Sequence, residues 1–99
     1  MNVNISHWSS KEIVEIPISL IMDSDLSDGA KITLTYLLSY KGYGGLSVSQ
    51  ARVADDLDKS RHLINKHYLE LERYGYILLK RAKGASSDII LTRKSVRYD

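Results

Sequence analysis

The chain has 99 residues, about one domain and too few for a binding domain plus a separate catalytic module. Its 43% hydrophobic and 26% charged residues are typical of a soluble globular protein, and the lack of cysteine excludes disulfides and thiolate chemistry. The most apolar stretch, residues 16–22, is too short to span a bilayer. We therefore expect a cytoplasmic domain that has no cofactor and no membrane contact.

Charge is unevenly distributed along the chain. Residues 1–58 contain four Lys and Arg against eight Asp and Glu, a net of −4. Residues 59–99 contain ten against four, a net of +6. A basic second half favours a face that binds a polyanion, although chance asymmetry in a short chain is a competing interpretation.

The first half of the chain predicts two helices after a short strand. Apolar residues alternate with acids over 12–16, and Pro17 suits the first turn of a short helix that runs to Met22. Ser27 is a good N-cap for a longer amphipathic helix. The apolar positions of that helix are Ala30, Leu34, Leu37 and Leu38. Three glycines in residues 42–45 end it.

The second half predicts two more helices and a hairpin. Ser49 caps a helix whose buried side consists of Val53, Ala54 and Leu57. Ser60 caps another, with core positions Ile64, His67, Tyr68, Leu71 and Tyr74, and Gly75 ends it. The β-prone runs 76–79 and 89–92 then predict a β-hairpin.

This order of elements predicts an α+β winged helix-turn-helix, with three main helices plus a C-terminal β-hairpin wing. Two helices that meet through a tight turn leave one side of the second helix free to enter a major groove. We assign residues 12–93 to this domain, with a flexible N-terminal arm at 1–11 and a polar tail at 94–99.

Two stretches carry a family resemblance. Residues 49–61, SQARVADDLDKSR, resemble the helix-turn-helix of many bacterial and phage regulators. Residues 69–77, LELERYGYI, are similar to the end of the recognition helix and the start of the wing in those proteins. Upstream, residues 16–20, 26–31 and 36–38 resemble the N-terminal domain of plasmid and phage replication initiators.

The resemblance covers roughly residues 14–93 and implies a double-stranded DNA-binding protein that is not an enzyme. It implies transcription regulation, or an accessory role in DNA replication, in a phage, plasmid or other mobile element. Two positions depart from the family pattern: Asp58 stands where Gly is usual, and Lys59 where a small hydrophobic residue is usual. Both departures predict a looser turn with an exposed Lys59. The chain also lacks the second domain of the longer initiators, so the resemblance does not imply replication initiation by this chain alone.

Helical spacing places a basic set of side chains opposite the core side of the third main helix, with Glu72 as the only acid among them. That set consists of Arg61, His62, Asn65, Lys66, Leu69 and Arg73. Arg and Asn pair bidentately with guanine and adenine edges. We therefore expect base contacts from Arg61, Asn65 and His62. A solvated helix face is the alternative interpretation.

Phosphate contacts are expected from the rest of the basic half. The helix N-terminus at Ser60 offers backbone N–H groups to a phosphate. The other candidates are Lys59, His62, Lys66, Lys80, Arg81 and Lys83. The last three lead into the tip of the hairpin, where solubilising charges on an edge strand are the competing explanation.

Other functions fit the residues less well. His62 and His67 are five apart and no cysteine adds a ligand, so we expect no metal site, with His67 packed at the edge of the core. No nucleophile, base and orienting group occur at a recognisable spacing. The alternative function is a winged-helix protein–protein interaction module that uses Leu69 and the acidic half. A homodimer is an open alternative to a monomer.

Overall fold

The computed structural model describes residues 14–39, 44–81, 87–92 and 94. The elements are α1 (Ile18–Ile21), α2 (Asp28–Leu38), β1 (Gly44–Ser47), α3 (Gln50–Leu57), α4 (Arg61–Arg73), β2 (Ile77–Arg81) and β3 (Ser87–Leu91). The chain therefore belongs to the α+β class that its sequence predicts. None of the helices in the described ranges has the length and hydrophobicity needed to cross a bilayer. The predicted arm, residues 1–11, lies outside the described residues, as does most of the predicted tail.

Serine residues begin the three long helices, as predicted. The Oγ atoms of Ser27, Ser49 and Ser60 each accept a hydrogen bond from the backbone N–H three residues further on, at 3.2, 3.1 and 3.1 Å. Each serine thereby satisfies a donor that the first helical turn leaves without a partner. The short helix α1 also forms, but Pro17 is its N-cap and not its first helical residue.

Left-handed residues end the last two helices. Asp58 has φ 57° and ψ 48°, and Gly75 has φ 84°. After Asp58, the N–H of Lys59 bonds to the carbonyl oxygen of Ala54 at 2.9 Å. After Gly75, the N–H of Tyr76 bonds in the same six-to-one pattern at 2.9 Å. Both ends are Schellman motifs, so Asp58 supplies the turn that the family usually builds with Gly.

The sheet has three antiparallel strands in the order β1-β3-β2. The predicted hairpin forms between β2 and β3, with Ile77 opposite Leu91. The sequence did not predict β1, which pairs with β3 through Gly44 opposite Leu91. A strand was predicted over 12–16, but the described part, Val14–Ile16, has no strand and packs against the core instead.

One hydrophobic core joins the helices to the sheet. Its fully buried large side chains include Leu20, Leu34, Leu37, Val53, Ile64, Tyr68, Leu71, Ile77 and Ile89. His67 lies at the edge of this core and is 9% exposed, as predicted. Its ring fills the space next to Gly29 of α2, where a Cβ atom would lie 2.4 Å from the His67 Nε2 atom. The two helices therefore approach each other closely at this point.

Candidate nucleic-acid interface

Helix α4 separates a buried side from an exposed side. The buried side packs Ile64, Tyr68 and Leu71 into the core. We call the opposite side the outer face of α4. Its exposed members are Arg61, His62, Lys66, Leu69 and Arg73. Four of these five side chains are Arg, Lys or His, and none is acidic.

Glu70, one of the two acids of α4, accepts hydrogen bonds from the N-cap of α2. Its Oε2 atom accepts a hydrogen bond from the backbone N–H of Ser27 at 2.6 Å, and its Oε1 atom accepts from the Ser27 hydroxyl at 2.9 Å. The Ser27 hydroxyl in turn accepts from the N-terminus of α2. Glu70 is therefore an extension of the α2 cap, and its negative charge lies where the α2 dipole favours it.

The other acid, Glu72, bonds to the sheet through strand β2. Its Oε2 atom accepts a hydrogen bond from the backbone N–H of Leu79 in β2 at 3.1 Å. Helical spacing places Glu72 among the outer residues, but the side chain is half-buried and bonded to β2. Both carboxylates of α4 thus bond to the body of the protein, and no acid remains on the outer face.

The turn before α4 continues this basic surface. Lys59 is exposed, as expected from its departure from the family pattern. The predicted looseness of the turn is not seen, because Asp58 adopts the left-handed conformation and the backbone bond of Lys59 closes the turn. Ser60 is exposed and bonds to the N–H of Leu63 as the helix cap. Lys59 and Ser60 therefore lie at the N-terminal end of the outer face.

Asn65 differs from its neighbours because another helix holds it. The Nε2 atom of Gln50, the first residue of α3, donates a hydrogen bond to the Oδ1 atom of Asn65 at 3.2 Å. Both side chains are half-buried. The sequence alone did not identify Gln50 as part of this site. Its position directly after the Ser49 cap is a usable signal, since α3 and α4 are joined by a short turn and pack against each other.

The hairpin contributes one described basic side chain. Along β2, Ile77 is buried, Leu78 is 51% exposed and Lys80 is exposed, the alternation expected of a strand with one buried side. Arg81 is the last residue of β2, and its backbone alone is described. Lys83 lies outside the described residues. Strand β2 contacts α4, so the hairpin and the helix that carries the outer face are neighbours.

The exposed side of α3 has the opposite charge. Asp55, Asp56 and Asp58 are all exposed. Asp56 accepts a short hydrogen bond from the Tyr36 hydroxyl and a 3.1 Å bond from the Nε atom of Arg52. The bond from Tyr36, followed by that from Arg52, lowers the pKa of Asp56 below its ordinary value of 3.8. This acid therefore connects α3 to α2.

A second carboxylate–tyrosine contact lies near the end of α4. The Tyr76 hydroxyl donates to the Oδ2 atom of Asp23 at 2.5 Å. This bond lowers the pKa of Asp23 below 3.8. Burial, with the adjacent carboxylate, raises the pKa of Tyr76 above its ordinary value of 10.0. The contact joins the start of the hairpin to the segment after α1.

The site offers no metal-binding group within the described residues, where no three His, Asp or Glu side chains lie together in a suitable arrangement. Comparisons of the chain with protein-family models, with curated proteins and with solved structures found no match.

Proposed function

We propose that this chain is a winged helix-turn-helix protein that binds double-stranded DNA, with α4 in the major groove and the β2–β3 hairpin as a wing on the backbone. The observation that carries the proposal is the acid-free outer face of α4. A helix fits the major groove of B-DNA, and cations on its exposed side neutralise the phosphates that flank the groove. Acids on the same side would repel those phosphates.

The side chains divide into two roles. Arg61, Asn65 and His62 lie on or beside the first turns of α4 and read base edges. The phosphate contacts come from Lys59, Ser60, Lys66, Lys80, Arg81 and Lys83. Backbone contacts set the position of the helix, and base contacts set the preferred sequence. We propose that the protein acts through this division as a regulator of transcription, or as an accessory to replication, and not as an enzyme.

Two sets of variants test the division. Replacement of Lys80, Arg81 and Lys83 by alanine weakens binding to all duplexes about equally, because phosphates are the same in every sequence. Arg61→Ala relaxes the preference at one base pair by roughly 1–3 kcal/mol. The readout is duplex affinity by fluorescence anisotropy, over sites selected from a random pool at physiological salt.

Lys31→Gln is the matched control for loss of a cation. The Lys31 ammonium donates a hydrogen bond to the carbonyl oxygen of Ile21 at 2.7 Å, so this side chain connects α2 to the end of α1. Its loss leaves duplex affinity within about twofold, because Lys31 already bonds to the backbone at the end of α1 and is not among the residues assigned to DNA contacts. Equal affinity of the wild type and both test variants for every duplex would contradict the proposal.

A second candidate is a winged-helix module that binds another protein. Exposed apolar side chains favour it: Met22 is 73% exposed, Ile18 69%, Ile32 58% and Leu69 46%. Salt separates the two functions. DNA binding weakens steeply between about 50 and 200 mM salt, whereas binding through an apolar interface changes little.

A further inference from the structure

The contact between Gln50 and Asn65 leaves a specific hydrogen-bonding pattern. One N–H of Gln50 Nε2 is donated to Asn65 Oδ1 at 3.2 Å. Each amide has two donors and an acceptor oxygen. Within the described part of the chain, the Oε1 atom of Gln50 and the Nδ2 atom of Asn65 take no further bond. An acceptor on α3 and a donor on α4 therefore remain for a ligand.

The two amides are positioned by rigid elements. Gln50 is the first residue of α3, directly after the Ser49 cap, and Asn65 is in the second turn of α4. The closed turn at Asp58 connects the two helices. Asn65 is held by Gln50 before any ligand arrives, so little side-chain freedom remains to be lost on binding.

We infer that Gln50 and Asn65 together read one adenine of a duplex, with Gln50 as a specificity-determining residue beside Asn65. The inference rests on the proposed DNA binding. In the major groove adenine presents the N7 acceptor next to the N6 amino donor. The Asn65 Nδ2 group donates to N7, and the N6 amino group donates to the free amide oxygen of the pair.

The same pattern disfavours guanine. Guanine presents two acceptors, N7 and O6, on its major-groove edge. An amide oxygen held against O6 places two acceptors in contact. The two bonded amides cannot easily rotate to offer a second donor, because Gln50 fixes Asn65. A single asparagine without this contact can swing its oxygen away from the guanine edge and keep one donor bond to it, so Gln50 sharpens the preference for A·T over G·C.

A double-mutant cycle on the preferred site tests the inference. Affinities of the wild type, Gln50→Ala, Asn65→Ala and the double variant are measured for the selected duplex and for duplexes that change one base pair at a time. A bidentate pair is worth roughly 5- to 150-fold in discrimination. Both single variants lose the preference at the same A·T pair, and the double variant loses no more than either.

His62→Ala is the matched control, because His62 is exposed on α4 and does not bond to Gln50. Its effect adds to that of Gln50→Ala, as expected for independent sites. Gln50→Met retains about the size of the side chain but removes both the donor and the acceptor, so it reproduces the loss even if the alanine variant folds poorly.

The outcomes distinguish the role of Gln50 from DNA binding itself. A Gln50→Ala or Gln50→Met protein that keeps the full A·T preference, with duplex affinity and salt dependence unchanged, overturns the role of Gln50 and leaves DNA binding intact. A wild-type protein that binds no duplex at 50 mM salt overturns the proposed function and this inference with it.

Discussion

Helices α3 and α4 are consecutive in the chain and pack on the same core, yet their exposed sides carry opposite charges. Helix α3 buries Val53 and Ala54, and α4 buries Ile64, Tyr68 and Leu71. Toward solvent, α3 and its C-cap present three aspartates, whereas α4 presents arginine, lysine and histidine.

The difference lies in how each helix uses its acids. Both glutamates of α4 accept hydrogen bonds from the backbone of other elements, α2 and β2. Of the α3 acids, Asp56 bonds to Tyr36 and Arg52, while Asp55 is exposed. The buried sides specify the fold in both helices. The outer face of α4 alone is left with a charge suited to a polyanion.

The largest expected effect separates the two sides of α4. Ile64→Ala lowers the free energy of unfolding by about 2–5 kcal/mol, because it deletes a fully buried side chain and leaves a cavity. Lys66→Ala, on the outer face, changes it by at most about 0.5 kcal/mol but weakens duplex binding. Urea unfolding and a duplex titration of both variants check this. Equal stability losses would show that the outer face is structural.

Gly29→Ala tests the close approach of α2 to the inner side of α4. A Cβ atom at Gly29 would lie 2.4 Å from His67 Nε2, so the buried ring must move. We expect the free energy of unfolding to fall by about 1–3 kcal/mol from overpacking. This loss outweighs the ordinary effect of the change, since alanine stabilises a helix relative to glycine. In a His67→Ala background the same change is neutral or stabilising. Thermal unfolding of the four proteins measures this, and a stable Gly29→Ala single variant would contradict the contact.

Acids of the two helices are expected to respond differently to neutralisation. Glu70→Gln loses about 1–2 kcal/mol of stability, because a charged acceptor of two hydrogen bonds at the α2 cap is replaced by a neutral one. Asp55→Asn, on the exposed side of α3, stays within about 0.5 kcal/mol of the wild type. Chemical unfolding at low salt compares them. Equal unfolding midpoints for the two variants would show that Glu70 is no more important to stability than the solvated Asp55.

The smallest expected effect is a pH dependence within α3. The lowered pKa of Asp56 in the folded state means that its ionised form stabilises the protein. This contribution is present above the ordinary value of 3.8 and is lost as the pH falls through the lower, folded-state pKa. Asp23 acts in the same direction.

Unfolding curves at pH 7, 5, 4 and 3 measure this dependence. Asp56→Asn makes the loss of stability at acid pH (the acid limb) less steep. Tyr76→Phe does the same, because it removes the hydrogen bond to Asp23, and Asp55→Asn serves as the control. At alkaline pH the raised pKa of Tyr76 predicts a loss of stability above about pH 10, because only the unfolded state then releases the proton. An acid limb identical in all four proteins would show that these contacts do not form in solution.

The sequence predicted the features that depend on local patterns. Serine caps, the periodic apolar positions of α2 and α4, the stop at Gly75 and the β2–β3 hairpin all follow from the residues within each element. These signals also sufficed to sort the outer face of α4 from its core side.

The features that the sequence did not predict depend on contacts between elements. Strand β1 has two glycines in four residues and no alternation, and its partner β3 lies more than forty residues away in the chain. The bonds of Glu72 to β2 and of Gln50 to Asn65 depend on how the elements cross. The left-handed Asp58 depends on the bonds that close its turn.

Salt dependence of duplex binding tests the central claim that the outer face of α4 and the hairpin form a polyanion-binding surface. With about five phosphate contacts, the logarithm of the association constant falls with the logarithm of salt concentration at a slope of roughly −4 to −5. Lys59→Ala combined with Lys66→Ala removes two phosphate contacts and reduces that slope by about 2, and Lys31→Gln leaves it unchanged. A slope near zero for the wild-type protein, or no binding at 50 mM salt, would contradict the account.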